Sequence, residues 1–131
     1  MGVTRRSHEN MGDYQKLNVW IRSKDLAVKI YRISDEGKLS KDFSLKDQMR
    51  RSATSIPSNI AEGDELLTDK QSIRHLYIAK GSLAELRTQL VIAQEINYLN
   101  DKIYNELESE CIEIGKMLTA LIKHRAKKLL N

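Results

Sequence analysis

The chain has 131 residues, of which 40% are hydrophobic and 31% are charged, with one Pro, six Gly and one Cys. This length fits one domain with one core, and the composition is too apolar for a disordered chain and too poor in turn residues for a β-sandwich. The net charge of +4 permits a nucleic-acid partner without requiring one, and a single cysteine excludes a disulfide framework.

The N-terminus carries no predicted element. Residues 1–12 are polar and lack a helical period, so we expect a flexible extension there and a bundle over residues 13–131. Met11 is an alternative start to Met1. No apolar run follows the N-terminal arginine pair, and no stretch approaches the roughly 20 apolar residues of a membrane span. We therefore expect a cytoplasmic protein without a membrane segment.

The first predicted helix runs from about Tyr14 to Ile33 and stops before Gly37, which suits a left-handed turn. Its apolar residues recur at helical spacing: Trp20, Leu26, Ala27, Ile30, Tyr31 and Ile33.

The second predicted helix begins at Ser44, which forms a helix-start signal with Asp47. Its stripe is Leu45, Met49, Ala53, Ile56 and Ile60, and Gly63 marks its expected end. Pro57 lies inside this run, where a proline costs about 3 kcal/mol in a regular helix. Because the apolar period continues across it, we predict one helix with a bend rather than two helices.

The third and fourth predicted helices begin at capping residues. Thr68 with Gln71 forms a capping box, and Asn100 caps the last helix after a short polar turn. The third stripe is Leu76, Ala79, Leu83, Leu86, Leu90 and Ala93. The fourth is Ile103, Leu107, Cys111, Ile114, Leu118 and Leu121. Four long helices with mostly short connections predict an all-α, antiparallel up-down-up-down four-helix bundle.

Catalytic and metal motifs are missing from the sequence. None of the three histidines has a glutamate three residues before it, which argues against a di-metal site, and no phosphate-binding loop or nucleophile elbow occurs. Cys111 falls on an apolar stripe and is predicted to be a core residue. We therefore predict no catalytic residue, no metal and no cofactor.

A polar set is predicted near the seam between the second and third helices: Ser55, Asn59, Glu62, Ser82 and Glu85. One interpretation is a functional pocket, and the other is a hydrogen-bonded network that fixes helix register. The second is favoured, because no histidine or lysine is evidently placed to drive chemistry. Gly81, in the middle of the third helix, suggests close helix approach.

Clustered cations suggest phosphate contacts. Lys46, Arg50 and Arg51 lie near the start of the second helix, where the helix dipole does not favour them. The last helix ends in Lys123, Arg125, Lys127 and Lys128, although cations at that end also suit the dipole. Without aromatic residues between them, such surfaces would contact backbone phosphates rather than bases.

Several motifs resemble one known family: Leu17–Trp20, Leu26–Tyr31, Asp47–Ala53, Ser55–Gly63 and Ile78–Leu86. They resemble the four-helix-bundle proteins encoded in intervening sequences of bacterial 23S rRNA genes. That family is also similar to the accessory protein of diversity-generating retroelements, which binds nucleic acid and a reverse transcriptase. The resemblance implies a ring-like homopentamer without enzymatic activity. In the turn after Gly63 this chain has Asp64-Glu65-Leu66-Leu67 where many relatives carry Gly or Arg. A role of a basic residue in that turn is therefore not assigned to this chain.

Two functions are predicted from these features. The leading hypothesis is a non-enzymatic, oligomeric bundle that binds nucleic acid through backbone phosphates. RNA is the favoured ligand, and DNA is the other candidate. The alternative is an interaction scaffold that docks a partner protein and never touches nucleic acid. Self-association is expected because apolar residues extend beyond the stripes: Val19, Ile21, Val28, Tyr77, Ile78, Ile92 and Ile122.

Overall fold

Four α-helices form an up-down-up-down bundle in the computed structural model, which describes residues 14, 17–65 and 68–130. The helices are α1 (Asn18–Ile33), α2 (Phe43–Glu65), α3 (Asp69–Glu95) and α4 (Asp101–Leu130). A short 3₁₀ helix, Gly37–Lys41, connects α1 to α2. Consecutive helices pack together and α4 returns onto α1, which confirms the predicted fold class. The predicted extension over residues 1–12 lies outside the described residues.

The core follows the predicted stripes on α3 and α4 with one shift. All six apolar positions predicted on α3 are buried. On α4, Ile103 and Leu121 are only half-buried, and the buried face continues through Ile122 to Arg125. A straight helix has 3.6 residues per turn, so a stripe read with a 3.5-residue period drifts off the buried face along a long helix.

The buried face of α1 differs from its predicted stripe. The helix begins at Asn18 rather than near Tyr14. Tyr31 is exposed and Trp20 is half-buried, while Ser23 is buried with its hydroxyl donating to the carbonyl of Trp20 at 3.1 Å. That hydrogen bond offsets the cost of burying a polar group. The buried residues of α1 are Val19, Ser23, Leu26, Ala27 and Ile30.

The start of α2 was predicted one residue late and with the wrong cap. The helix begins at Phe43, and Asp42 caps it by accepting a hydrogen bond from the backbone N–H of Leu45 at 3.1 Å. The hydroxyl of Tyr98 donates to the second carboxylate oxygen of Asp42 at 3.1 Å. This tertiary contact holds the carboxylate in place, and Ser44 is not the cap.

The caps of α3 and α4 are confirmed. Thr68 accepts a hydrogen bond from the backbone N–H of Gln71 at 3.2 Å. Asn100 accepts one from the N–H of Ile103 at 2.8 Å. Both side chains satisfy amide groups that have no partner inside their own helix.

Close approach of α2 and α3 occurs at Gly63 and not at Gly81. A Cβ atom on Gly63 would lie 3.1 Å from the carbonyl oxygen of Ser72, whereas one on Gly81 would meet nothing within 4 Å. The expectation for Gly81 was therefore wrong. α2 continues to Glu65 and runs through Pro57 as one helix. The bend at Pro57 stays a prediction.

Candidate nucleic-acid interface

Two of the cations predicted at the start of α2 share one carboxylate. Lys46 Nζ lies 3.1 Å and Arg50 Nη2 lies 2.7 Å from Asp35 Oδ1, and hydrogen bonds from these cations, led by Lys46, lower the pKa of Asp35. Arg50 also donates to Ser34 Oγ at 2.8 Å and to the carbonyl of Tyr31 at 3.1 Å. Its guanidinium carbon lies 4.4 Å from the centre of the Tyr31 ring. Lys46 and Arg50 thus join α2 to α1.

Arg51, the third predicted cation of this group, is available to solvent. Its side chain is 79% exposed and forms an ion pair at 2.8 Å with Asp47, one turn earlier on the same helix. Exposed pairs of this kind contribute little and exchange readily for another anion. Arg51 is therefore the member of the group best able to meet a phosphate.

The end of α4 carries exposed cations that form no ion pair with a carboxylate of the described residues. Lys123, Lys127 and Lys128 are exposed, and no Asp or Glu follows Glu113 in the sequence. Within the described part of the chain, no carboxylate pairs with any of the three. Of the two predicted groups of cations, this one has more positive charge that is not paired with a carboxylate of the described residues.

Arg125 must be removed from the predicted contact residues. Its side chain is 8% exposed, with Nη2 3.1 Å from Asp64 Oδ1 and Nη1 3.7 Å from Asp69 Oδ1. Both carboxylates are buried as well. The helical drift that brings residue 125 to the inner face of α4 places its charge between the end of α2 and the start of α3. Arg125 closes one end of the bundle and does not face an external phosphate.

The predicted polar set forms a connected network in part. Ser82 Oγ donates to Ser55 Oγ at 2.8 Å, and Asn59 Nδ2 donates to the same Ser55 oxygen at 3.0 Å. These contacts join α2 to α3 along a half-buried seam. Glu85 lies in the same groove but, among the described residues, makes no hydrogen bond to the network.

His75 was missed, although it sits in this network. Its Nδ1 lies 3.0 Å from Asn59 Oδ1 and 3.7 Å from the carboxylate of Glu62. The amide nitrogen of Asn59 already donates to Ser55, so Asn59 Oδ1 faces the imidazole of His75 and accepts its N–H. From the sequence, no histidine was evidently placed to drive chemistry, so this neighbour of the polar set was not identified. The close packing of Gly63 against α3 brings His75 to Asn59, and that register is not evident from either helix alone.

A second contact at the same seam was also missed. Ser52 Oγ donates to Gln89 Oε1 at 2.7 Å, and both side chains are buried. Ser52 lies one turn before Ser55, so helical spacing provided a signal for it. Gln89 likewise follows Ser82 by seven residues on α3. The paired polar residues along the seam support the register interpretation.

The groove between α1 and α2 combines aromatic rings with cations. It has a volume of about 560 Å³, and its walls include Trp20, Tyr31, Lys24 and Arg32. The expectation that no aromatic side chain would accompany basic residues is thus incomplete. One face of the Tyr31 ring is already covered by Arg50.

The bundle and its motifs match known proteins. Residues 15–120 match the family model of the 23S rRNA-intervening sequence protein. This chain belongs to that family. A similar solved structure is a protein of unknown function from the S23 ribosomal protein family of Bacteroides thetaiotaomicron, with a TM-score of 0.74 and 29% identity. The alignment covers 80% of this chain and 98% of that one. No curated protein matches the sequence.

The described residues of this intervening-sequence family member also bear on metal binding, membrane insertion and thiol chemistry. Over residues 14, 17–65 and 68–130, no three His, Cys, Asp or Glu side chains converge so as to hold a metal ion. Across the same described ranges, no helix has the length and apolar character needed to cross a membrane. Cys111 is fully buried, and burial raises the pKa of its thiol to about 12, as expected of a packing residue.

Proposed function

We propose that this protein is a non-enzymatic, cytoplasmic RNA-binding bundle that contacts backbone phosphates through the C-terminal half of α4. The carrying observation is that Lys123, Lys127 and Lys128 are exposed without a carboxylate partner among the described residues. The cations first predicted at the start of α2 are instead largely committed to Asp35. The family's association with 23S rRNA genes agrees with an RNA ligand. DNA offers the same phosphate chemistry.

Helix geometry places two of these lysines in one row with Lys116, which lies 3.6 Å from Glu113. Lys116, Lys123 and Lys127 are separated by seven and four residues, so they project from one face of α4 over about 16 Å. This length spans several phosphates of a strand. Phosphate contacts of this kind release condensed counterions, and affinity then falls with rising salt.

Assembly would strengthen such binding. Of the seven apolar residues expected to promote self-association, Val19 and Ile122 belong to the core, and five remain exposed: Ile21, Val28, Tyr77, Ile78 and Ile92. Contact between copies would cover these side chains. A closed homopentamer, as the resemblance implies, would repeat the α4 row five times and multiply its attraction for RNA.

The test is a salt series with total cellular RNA, comparing wild type with K123A/K127A/K128A. If each lysine makes one phosphate contact, the slope of log affinity against log salt should become shallower by about 2 to 3. The matched control K29A/K38A/K41A removes the same charge from exposed lysines at the other end of the bundle and should change the slope little. An equal effect of the two triple variants would show that only net charge matters and would refute the assigned surface.

Two further variants test the mode of binding. R51A should reduce the slope by less than about 1, because at most one contact is lost. Y31L removes the exposed aromatic ring, and phosphate-only recognition predicts an unchanged affinity. Failure of the wild type to retain RNA even at low ionic strength would reject RNA binding and favour the scaffold hypothesis.

A further inference from the structure

A groove between α3 and α4 has a different chemistry from the surfaces described above. Its volume is about 570 Å³, and it is open along one side. The floor is aliphatic and small, with Leu83, Ala84, Gly115 and Ala120. A Cβ on Gly115 would lie 3.4 Å from Leu83 Cδ2, so the floor is already closely packed at this point. Small side chains leave a shallow channel along both helices.

The walls of this groove carry cations on both sides. Lys80 rises from α3 and Lys123 from α4, and neither has a carboxylate partner among the described residues. Lys116, with Glu113 3.6 Å away, and Arg87, paired with Glu108, also line it. The groove is thus apolar at its base, and at its edges it has two lysines that form no ion pair with a described carboxylate.

We infer that the α3–α4 groove docks an amphipathic helix of a partner protein whose apolar face is flanked by acidic side chains. An apolar ridge at helical spacing would fill the floor, and its carboxylates would meet Lys80 and Lys123. A nucleic-acid backbone would leave the aliphatic floor unused, and no aromatic ring lines this groove to stack on a base. The groove shares Lys123 with the proposed RNA surface, so variants at Lys80 on α3 and at the lysines of the last turn of α4 test the two proposals separately.

A second copy of the folded chain fits the groove less well. The acidic half of its own α4 has glutamates, but Leu107, Cys111 and Ile114 on that segment are buried in the core. A folded copy therefore lacks a free apolar ridge flanked by acids on this segment. The acidic segment of α4 in a second copy therefore does not present both features together, which favours a helix of another protein.

The test uses three synthetic helical peptides of about 18 residues. The first has leucines at i, i+3, i+4 and i+7 with flanking glutamates, the second has lysines in place of those glutamates, and the third has serines in place of the leucines. Fluorescence anisotropy at physiological salt should show the first binding at least about tenfold more tightly than either of the others. Equal binding of the first and third peptides would overturn the inference, because charge alone would then suffice.

Variants of the protein show where the acidic peptide binds. A84F fills the exposed floor, K80E reverses one edge, and each should weaken binding of the acidic peptide at least about tenfold. The control K128E changes the same charge at an exposed lysine outside the groove and should have less than about a threefold effect. Since K80E alters only an exposed side chain, it tests the groove even if A84F perturbs folding. Equal effects of K80E and K128E would contradict a defined site.

A double variant and chemical-shift mapping separate this inference from the RNA proposal. K127A/K128A should weaken RNA binding while leaving affinity for the acidic peptide nearly unchanged. Amide chemical-shift changes on peptide addition should centre on Ala84 and Thr119. Changes confined to the last turn of α4 would show nonspecific attraction to the basic end and reject the groove.

Discussion

The two ends of the bundle each hold an arginine between helices, and the two arginines behave differently. At the start of α2, Arg50 and Lys46 share Asp35, whose side chain is 66% exposed. At the opposite end, Arg125 lies between Asp64 and Asp69, all nearly inaccessible. The first cluster has two cations and one acid in contact with water. Among the described residues, the second has one cation and two acids, and all three side chains are removed from water.

This difference shows that charge patterning does not reveal the role of an arginine. Water screens the first cluster, so its ion pairs add modestly to stability. Burial makes the second cluster interdependent, because each charge has lost much of its hydration and is stabilised in part by the others. Arg50 and Arg125 were both predicted to contact phosphate, yet only burial distinguishes them.

The largest expected effect follows from breaking the buried cluster. R125M removes the cation and leaves Asp64 and Asp69 buried without it, which should lower the free energy of unfolding by about 3–5 kcal/mol. Urea denaturation followed by circular dichroism measures this loss. R125M/D64N/D69N removes all three charges and should recover much of the stability. A loss below about 1 kcal/mol for R125M would show that this end of the bundle is hydrated.

A smaller effect is expected at the exposed cluster. R50A removes hydrogen bonds to Ser34, Tyr31 and Asp35 together with the ring contact, and should cost about 1–2 kcal/mol. R50K keeps a charge near Asp35 but loses the planar donor geometry, so its stability should be intermediate. If R50A equals R125M in cost, the contrast between the two ends fails.

Acidification provides a more subtle test of the exposed cluster. The pKa of Asp35 is lowered in the folded protein, mainly by the hydrogen bond from Lys46 and then that from Arg50. Its contribution to stability is therefore present above the unfolded pKa and is lost as pH falls through the folded value. The stability difference between wild type and D35N should shrink between about pH 5 and pH 2. A constant difference over this range would show that ionisation of Asp35 is not the cause.

The smallest effect is expected for Arg51, which shares its helix with its only ion-pair partner among the described residues. R51A should change the free energy of unfolding by no more than about 0.5 kcal/mol, because an exposed i,i+4 pair contributes that little. Thermal or urea unfolding beside R50A provides the comparison. A cost above about 1 kcal/mol would indicate that Arg51 contacts another copy of the chain.

Local patterns predicted the helices better than the site. Thr68 and Asn100 cap their helices as predicted, since each cap involves residues three positions apart. Asp42 caps α2 over the same spacing, but Ser44 offered a competing local signal, and Tyr98, 56 residues away, contacts the carboxylate of Asp42. His75 was missed for the same kind of reason, since its partner Asn59 is on another helix. Contacts between helices depend on their register, which periodicity alone does not specify.

The amino-acid sequence by itself determined the number of helices, most of the buried apolar residues on α2, α3 and α4, and the polar residues near the α2–α3 seam. These features arise from helical spacing, caps and breakers that act over a few residues. Only the tertiary structure decided that Arg125 is enclosed with two aspartates, that Arg50 is held by α1, and that lysines from α3 and α4 flank an apolar groove. The physical reason is that hydration and charge pairing depend on what a neighbouring helix brings within a few ångströms.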